Sequence, residues 1–283
     1  MRVPQVSEFT TSDGVAIRFA CSGTGPPLYL CHGGPLGDRR GLAAQVSALH
    51  DRFTLVSHDY RGSGASSSAT ASTYDFEHLA DDLDALRVHL GHQRVNVLAH
   101  SMGVPVALYF ALRHGDSVRR IVLTGGTPLS ASRMPRTMMR TLGPRRLLDV
   151  QARSLIYLVW WSWRTPSPGR DMALIRLSEA TGRSDRPFRH ARSEPVHDND
   201  NAASLQRAFM DLDVTHDLDR ISQPVLVLYG ERDAIAAAGA SRFSSLPYVE
   251  FVVIPRIGHE IFADAPWQAL EHVKTFLNDG RPQ

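Results

Sequence analysis

The sequence predicts an α/β fold, a mostly parallel sheet with helices on both faces, interrupted once by a helical insertion. Three observations carry this. Short apolar runs alternate with amphipathic stretches over the first 127 residues, the pattern that stacked strand–helix–strand units produce. Those runs are apolar throughout, not at every second residue, as strands covered on both sides must be. The alternation stops at Gly125-Gly126-Thr127-Pro128 and resumes at Pro224.

The strands expected in order are Val15–Ala20, Leu28–Cys31, Phe53–Ser57, Val95–Ala99 and Val118–Leu123, with helices over Leu42–His50, Phe76–Leu90 and Val104–His114. Residues 128–213 are helical in composition and poor in strand signals. They hold 14 arginines against nine acids, so this stretch is distinctly basic. After it, Val225–Tyr229 and Val249–Ile254 read as buried strands and Trp267–Asn278 as a closing helix. The expected organisation is one core, residues 1–127 and 214–283, carrying a helical cap at 128–213. The Ser/Ala/Thr run Ala65–Thr73 reads as a loop.

Composition narrows the function classes. The chain has 283 residues, 43% hydrophobic and 21% charged, with a formal charge of +2. That suits a globular protein and gives no reason to expect nucleic acid as a partner. Lys274 is the only lysine, which GC-rich codon usage explains. Cys21 and Cys31 form no CxxC pair and support neither a disulfide framework nor a zinc site. The histidines show no HExxH spacing, so no metal and no cofactor is expected. No leader pattern and no apolar run of bilayer length is found, so no membrane partner is expected and the expected location is the cytoplasm. Nothing in the sequence bears on oligomeric state.

The most informative stretch is Val95-Asn96-Val97-Leu98-Ala99-His100-Ser101-Met102-Gly103. A buried strand runs into a serine and then a helix. A nucleophile elbow needs that sharp turn, because it lifts the hydroxyl clear of the sheet. The residues two before and two after must be tiny, since strand and helix backbones pass close to them; Ala99 and Gly103 meet this. Ala99 replaces the usual glycine, and slight strain is expected there. A serine in this place could instead simply cap the helix, and the surrounding pattern decides against that.

Leu28-Tyr29-Leu30-Cys31-His32-Gly33-Gly34-Pro35 is a strand ending in a glycine-rich turn. Acyl transfer develops a negative oxygen that two fixed N–H groups must meet. The expected donors are the backbones of Met102 and Gly34. His32 is expected to brace the loop. The acid and base come later: Asp233 in Gly230-Glu231-Arg232-Asp233, and His259 in Ile257-Gly258-His259-Glu260. Both follow strands, at the sheet end where α/β proteins build sites. Glu231 is the second choice of acid, His100 is expected to point elsewhere, and Asp59 to pair with Arg61.

Taken together, His32–Pro35, Asp59-Tyr60-Arg61-Gly62-Ser63-Gly64, Ala99–Gly103, Gly230–Asp233 and Gly258-His259 resemble the capped α/β-hydrolases, most of all the proline iminopeptidase branch and its esterase-like relatives. The resemblance implies the α/β-hydrolase fold with eight strands, and Ser101, Asp233 and His259 as a triad. The glycine-rich turn of the family reads HGGPG; here Leu36 follows Pro35 and Gly37 comes one later. The aminopeptidases carry a glutamate after a tryptophan pair in the cap. Here Arg164 follows Trp160-Trp161-Ser162-Trp163, and an arginine repels a substrate ammonium.

The reading favoured by the sequence is therefore hydrolysis of a small-molecule ester, lactone or amide through an acyl-enzyme on Ser101. Trp160, Trp163 and Arg164 are candidate substrate contacts, against a plain packing role for the tryptophans. A biosynthetic cyclase or acyltransferase on the same triad is the alternative, and sequence does not separate the two. Proline iminopeptidase activity and a non-catalytic ligand receptor stand behind both.

Overall fold

The computed structural model describes residues 5–34, 37–126, 129, 204–205, 207–208, 212–233, 236 and 240–278. Its strands are β1 (Gln5–Thr10), β2 (Ala16–Ser22), β3 (Pro27–Cys31), β4 (Thr54–His58), β5 (Val95–His100), β6 (Val118–Thr124), β7 (Val225–Gly230) and β8 (Val249–Ile254). They form one 8-stranded sheet in the order β1-β2-β4-β3-β5-β6-β7-β8. β1 and β2 pair antiparallel, as do β2 and β4, and every pairing from β4 through β3 to β8 is parallel. The expected mostly parallel sheet is what forms.

Alternate residues of each central strand feed two separate cores, which is why the strands are apolar on both faces. Tyr29, Cys31, Val97, Ala99, Ile121, Leu123, Val225 and Val227 face one core. That core is closed by α2 (Phe76–His89) and α3 (Gly103–Arg113), through residues such as Leu83, Leu86, Val106 and Phe110. Leu28, Leu30, Leu98, Val122, Leu226 and Leu228 face the other. There α1 (Arg39–Gln45) and the last helix cover the sheet. After β8 come a short helix, α4 (Ile261–Asp264), and that closing helix, α5 (Pro266–Asn278), which buries Ala269, Leu270, Val273, Phe276 and Leu277.

The seven expected strands form within two residues of their expected limits, but β8, expected to be buried, lies at the sheet edge with Phe251 40% and Val253 45% exposed, because it has a neighbouring strand on one side only. The strand not anticipated is β1. It lies at the sheet edge and buries little beyond Phe9, while Val6 is 47% exposed, so it carries almost no apolar pattern. The expected helix Leu42–His50 is shorter: α1 ends at Gln45 and a single 3-10 turn follows at Ser47–Leu49.

β6 and β7 are neighbours in the sheet although 100 residues, 125–224, lie between Thr124 and Val225. The Val214 N–H donates to the Leu129 carbonyl at 3.0 Å, joining the two ends of the intervening stretch. Most of the expected cap, 128–213, lies outside the described residues, as do Trp160, Trp163 and Arg164. Among the described residues no helix is long and apolar enough to cross a membrane.

Candidate active site

Parallel strands end on the same side of a sheet, so β3, β5, β6, β7 and β8 deliver their C-terminal loops to one rim. Ser101 stands there between β5 and α3 with φ 52°. Among the described residues, the only other non-glycine residue with positive φ is Arg256. A left-handed conformation costs a residue with a Cβ about 1–2 kcal/mol. The Ser101 N–H donates to the Thr124 carbonyl of β6 (3.0 Å), and the Ser101 carbonyl accepts from Val104 N–H (2.9 Å). These bonds hold the turn from both sides. The backbone strain thus falls on Ser101, while Ala99 sits fully buried in regular pairing opposite Cys31 and Leu123.

Gly103 opens α3 where it crosses the end of β3, and a methyl group there would run into the Cys31 carbonyl. A Cβ on Gly33 would stand 3.0 Å from the Ser101 Cβ. The His32-Gly33-Gly34 turn therefore passes directly over the elbow, and Gly34 has φ 71°. Pro35 and Leu36 lie outside the described residues. Met102, 5% exposed, caps the N-terminus of α3. His32 is buried and braces the loop: its ring packs on Tyr60 at 4.1 Å between centroids, and its carbonyl accepts from the Tyr60 hydroxyl at 3.0 Å.

Asp233 follows β7 and is 3% exposed. Its Oδ1 accepts from Ala236 N–H at 3.0 Å, and its Oδ2 lies 2.8 Å from Nδ1 of His259. The carboxylate is thus fixed at one oxygen and presents the other to the imidazole. Glu231 is engaged elsewhere, accepting from Arg256 N–H at 2.8 Å. Burial alone would favour the neutral His259 ring. The charge and hydrogen bond of Asp233, with Glu260 adding, outweigh it and push the imidazole up to about 9.

Two sequence expectations need correcting. His100 does not point elsewhere. It is buried, with its ring centroid 5.1 Å from that of His259, its Nδ1 3.2 Å from Thr124 Oγ1 and its Nε2 3.3 Å from Glu260 Oε1. As the last residue of β5 its side chain leans toward β6, and the bare Gly125, where a Cβ would strike the ring, leaves it room. Asp59 does not pair with Arg61. It is fully buried and accepts from Arg39 N–H (2.7 Å), the Arg39 guanidinium and Ala65 N–H (3.0 Å). Arg61 instead forks onto Asp82 at 2.8 and 2.6 Å and reaches Asp13 at 3.0 Å. Asp59 and Arg61 lie past the end of β4, in the loop and turn that follow it, where closeness in sequence does not fix which way a side chain leaves the backbone.

The arrangement brings a strained serine, a glycine turn above it and an imidazole backed by a carboxylate to one rim. Sequence reasoning missed His100, Thr124 and Glu260 there; His100 and Glu260 had one signal, adjacency to Ser101 and to His259, and Thr124 had none.

Comparison with known proteins identifies the family to which the fold belongs. The α/β-hydrolase-fold family profile matches residues 26–266. A non-heme chloroperoxidase of Kitasatospora aureofaciens is 28% identical, the alignment covering 89% of this chain and 91% of that protein. A proline iminopeptidase of Pestalotiopsis fici is 24% identical over 95% of this chain and 99% of the relative. The solved structure of a thermophilic esterase from Thermogutta terrifontis is 26% identical with a TM-score of 0.67, covering 96% of this chain and 98% of that one. The chain belongs to the α/β-hydrolase family. Its relatives differ in the reaction they are named for, so membership fixes the class and not the substrate.

Proposed function

We propose that the chain is a serine hydrolase that cleaves an ester, lactone or amide of a small organic molecule through an acyl-enzyme on Ser101. The observation that carries this is the Asp233–His259 pair at 2.8 Å, beside an elbow whose serine alone holds the left-handed turn. His259 takes the Ser101 proton on Nε2 as Oγ attacks the acyl carbon. Asp233 keeps the other ring proton on Nδ1 and stabilises the imidazolium that forms. The backbone N–H groups of Met102 and Gly34 meet the oxyanion. The leaving group then takes the proton from His259, and water repeats the sequence to free the acid.

Residues 128–213 form a cap over this rim in the same reading, with Trp160 and Trp163 offering apolar surface and Arg164 a positive charge to the substrate. That charge favours a neutral or anionic acyl part over a free N-terminal amine. The test is a kinetic screen of acyl esters of graded length, lactones and aminoacyl amides, wild type beside Ser101→Ala. Hydrolysis that disappears in Ser101→Ala supports the reading, and hydrolysis unchanged in that variant refutes it.

A further inference from the structure

Thr124, His100 and Glu260 lie in one chain of contacts beside the His259 ring. Thr124 Oγ1 donates to the Ala99 carbonyl at 2.9 Å. Its lone pair is then what meets His100 Nδ1 at 3.2 Å, so Nδ1 carries the ring proton. The His100 Nε2 then faces the Glu260 carboxylate, 3.3 Å from Oε1. The His259 ring completes the group: with Nδ1 engaged by Asp233, it offers Nε2. One donor atom from each of His100, His259 and Glu260 lies within 4.8 Å of the other two.

We propose that His100, His259 and Glu260 together bind a divalent cation of borderline character, zinc above others, and that the bound ion blocks acyl transfer. The second half rests on the reading of His259 as the base: zinc would occupy the nitrogen that must accept the Ser101 proton. Two imidazoles and one carboxylate are a donor set zinc takes readily. At Zn–N and Zn–O lengths near 2.0–2.1 Å, tetrahedral donors stand about 3.3 Å apart. His100 Nε2 and Glu260 Oε1 already have that spacing, and His259, whose side chain is 27% exposed, closes the rest by a small ring swing. Each ring also has its Nδ1 held by an oxygen acceptor, Thr124 or Asp233, the outer support that fixes metal-binding histidines in the right tautomer. Magnesium and calcium want six or more oxygen donors and fit poorly here.

The experiment titrates zinc ion alone into the full chain, stripped of metal, using competition with a chromophoric chelator. In parallel it follows the rate at which a small fluorophosphonate labels Ser101. The expected result is one equivalent bound, with labelling falling in step with occupancy. Glu260→Gln and His100→Asn each weaken zinc binding about tenfold or more, while Ser101→Ala binds zinc as wild type does. Melting curves of each variant confirm folding, and Glu260→Gln, at a partly exposed position, serves if His100→Asn fails to fold. Zinc affinity unchanged by both substitutions, no bound equivalent, or a bound equivalent that leaves labelling untouched overturns the proposal. A fluorophosphonate that never labels Ser101 in metal-free protein sinks the acyl-enzyme reading instead, and the binding titrations still decide the metal site.

Discussion

At the scale of single residues, the site depends on how carboxylates sit around His259. A raised imidazole holds its proton to higher pH, and a base must first lose it. Hydrolysis should therefore climb with pH, with the acid limb of kcat/KM near 9, where the Asp233 and Glu260 charges place the ring. Asp233→Asn removes the largest of the raising influences. It should lower kcat by about 10³–10⁴-fold, because the ring loses both tautomer and charge support, and move the limb down toward the ordinary 6.5. A pH–rate profile of both proteins checks this. A limb that stays in place would mean that His259 is not the base. The same shift bears on stability. Since the folded state binds this proton more tightly than the unfolded one, its contribution is complete below 6.5 and lost as pH rises through about 9. Wild type should therefore exceed His259→Gln in Tm by more at pH 6 than at pH 10.

At the scale of elements, the elbow is a close crossing of three backbones, and glycines make it possible. Gly103→Ala puts a methyl against the Cys31 carbonyl where α3 starts. Backbone, unlike a side chain, cannot step aside cheaply, so a cost of about 1–3 kcal/mol is expected, with Ser101 displaced and its fluorophosphonate labelling lost or slowed. Urea unfolding and labelling of the same variant read the two effects separately. The crossing was legible in the sequence because it demands small residues at fixed offsets around Ser101. The central strands β3 to β7 were legible because their apolar residues are buried on both faces. β1 was not, since an edge strand with one buried aromatic, Phe9, leaves no periodic signal. Nor was the pairing of Asp59 with Arg39, which joins residues 20 apart in sequence. Adjacency in a motif says that two residues are near in chain, and only the fold says which way each side chain leaves it. His100 teaches the same point, standing beside the serine in sequence yet turned toward His259.

At the scale of the molecule, the sheet holds one rim together from distant parts of the chain, and buried ion pairs tie the loops behind it. Arg61 links its own loop to Asp82 of α2 and to Asp13 between β1 and β2. Arg61 and Asp82 are both almost fully buried. Asp82→Ala leaves the guanidinium with a single carboxylate in a dry setting, and should cost about 3–5 kcal/mol. A lowered urea midpoint at unchanged m-value measures that. Ser101, Asp233 and His259 could be picked out as a candidate triad from the sequence, because their order in the chain and their places after strands repeat a known architecture. What the substrate is was not readable, because in the proposed reading it depends on residues 128–213, a stretch with no motif as specific as the one around Ser101.

The proposed function turns on Ser101 as the nucleophile, raised by the elbow and served by His259. Intact-protein and peptide mass spectrometry after exposure to a small fluorophosphonate reads this without assuming any substrate. One adduct is expected, mapped to Ser101, absent in Ser101→Ala and strongly slowed in His259→Gln. A wild-type protein that takes up no adduct, or one labelled on another residue while Ser101 stays free, would refute it.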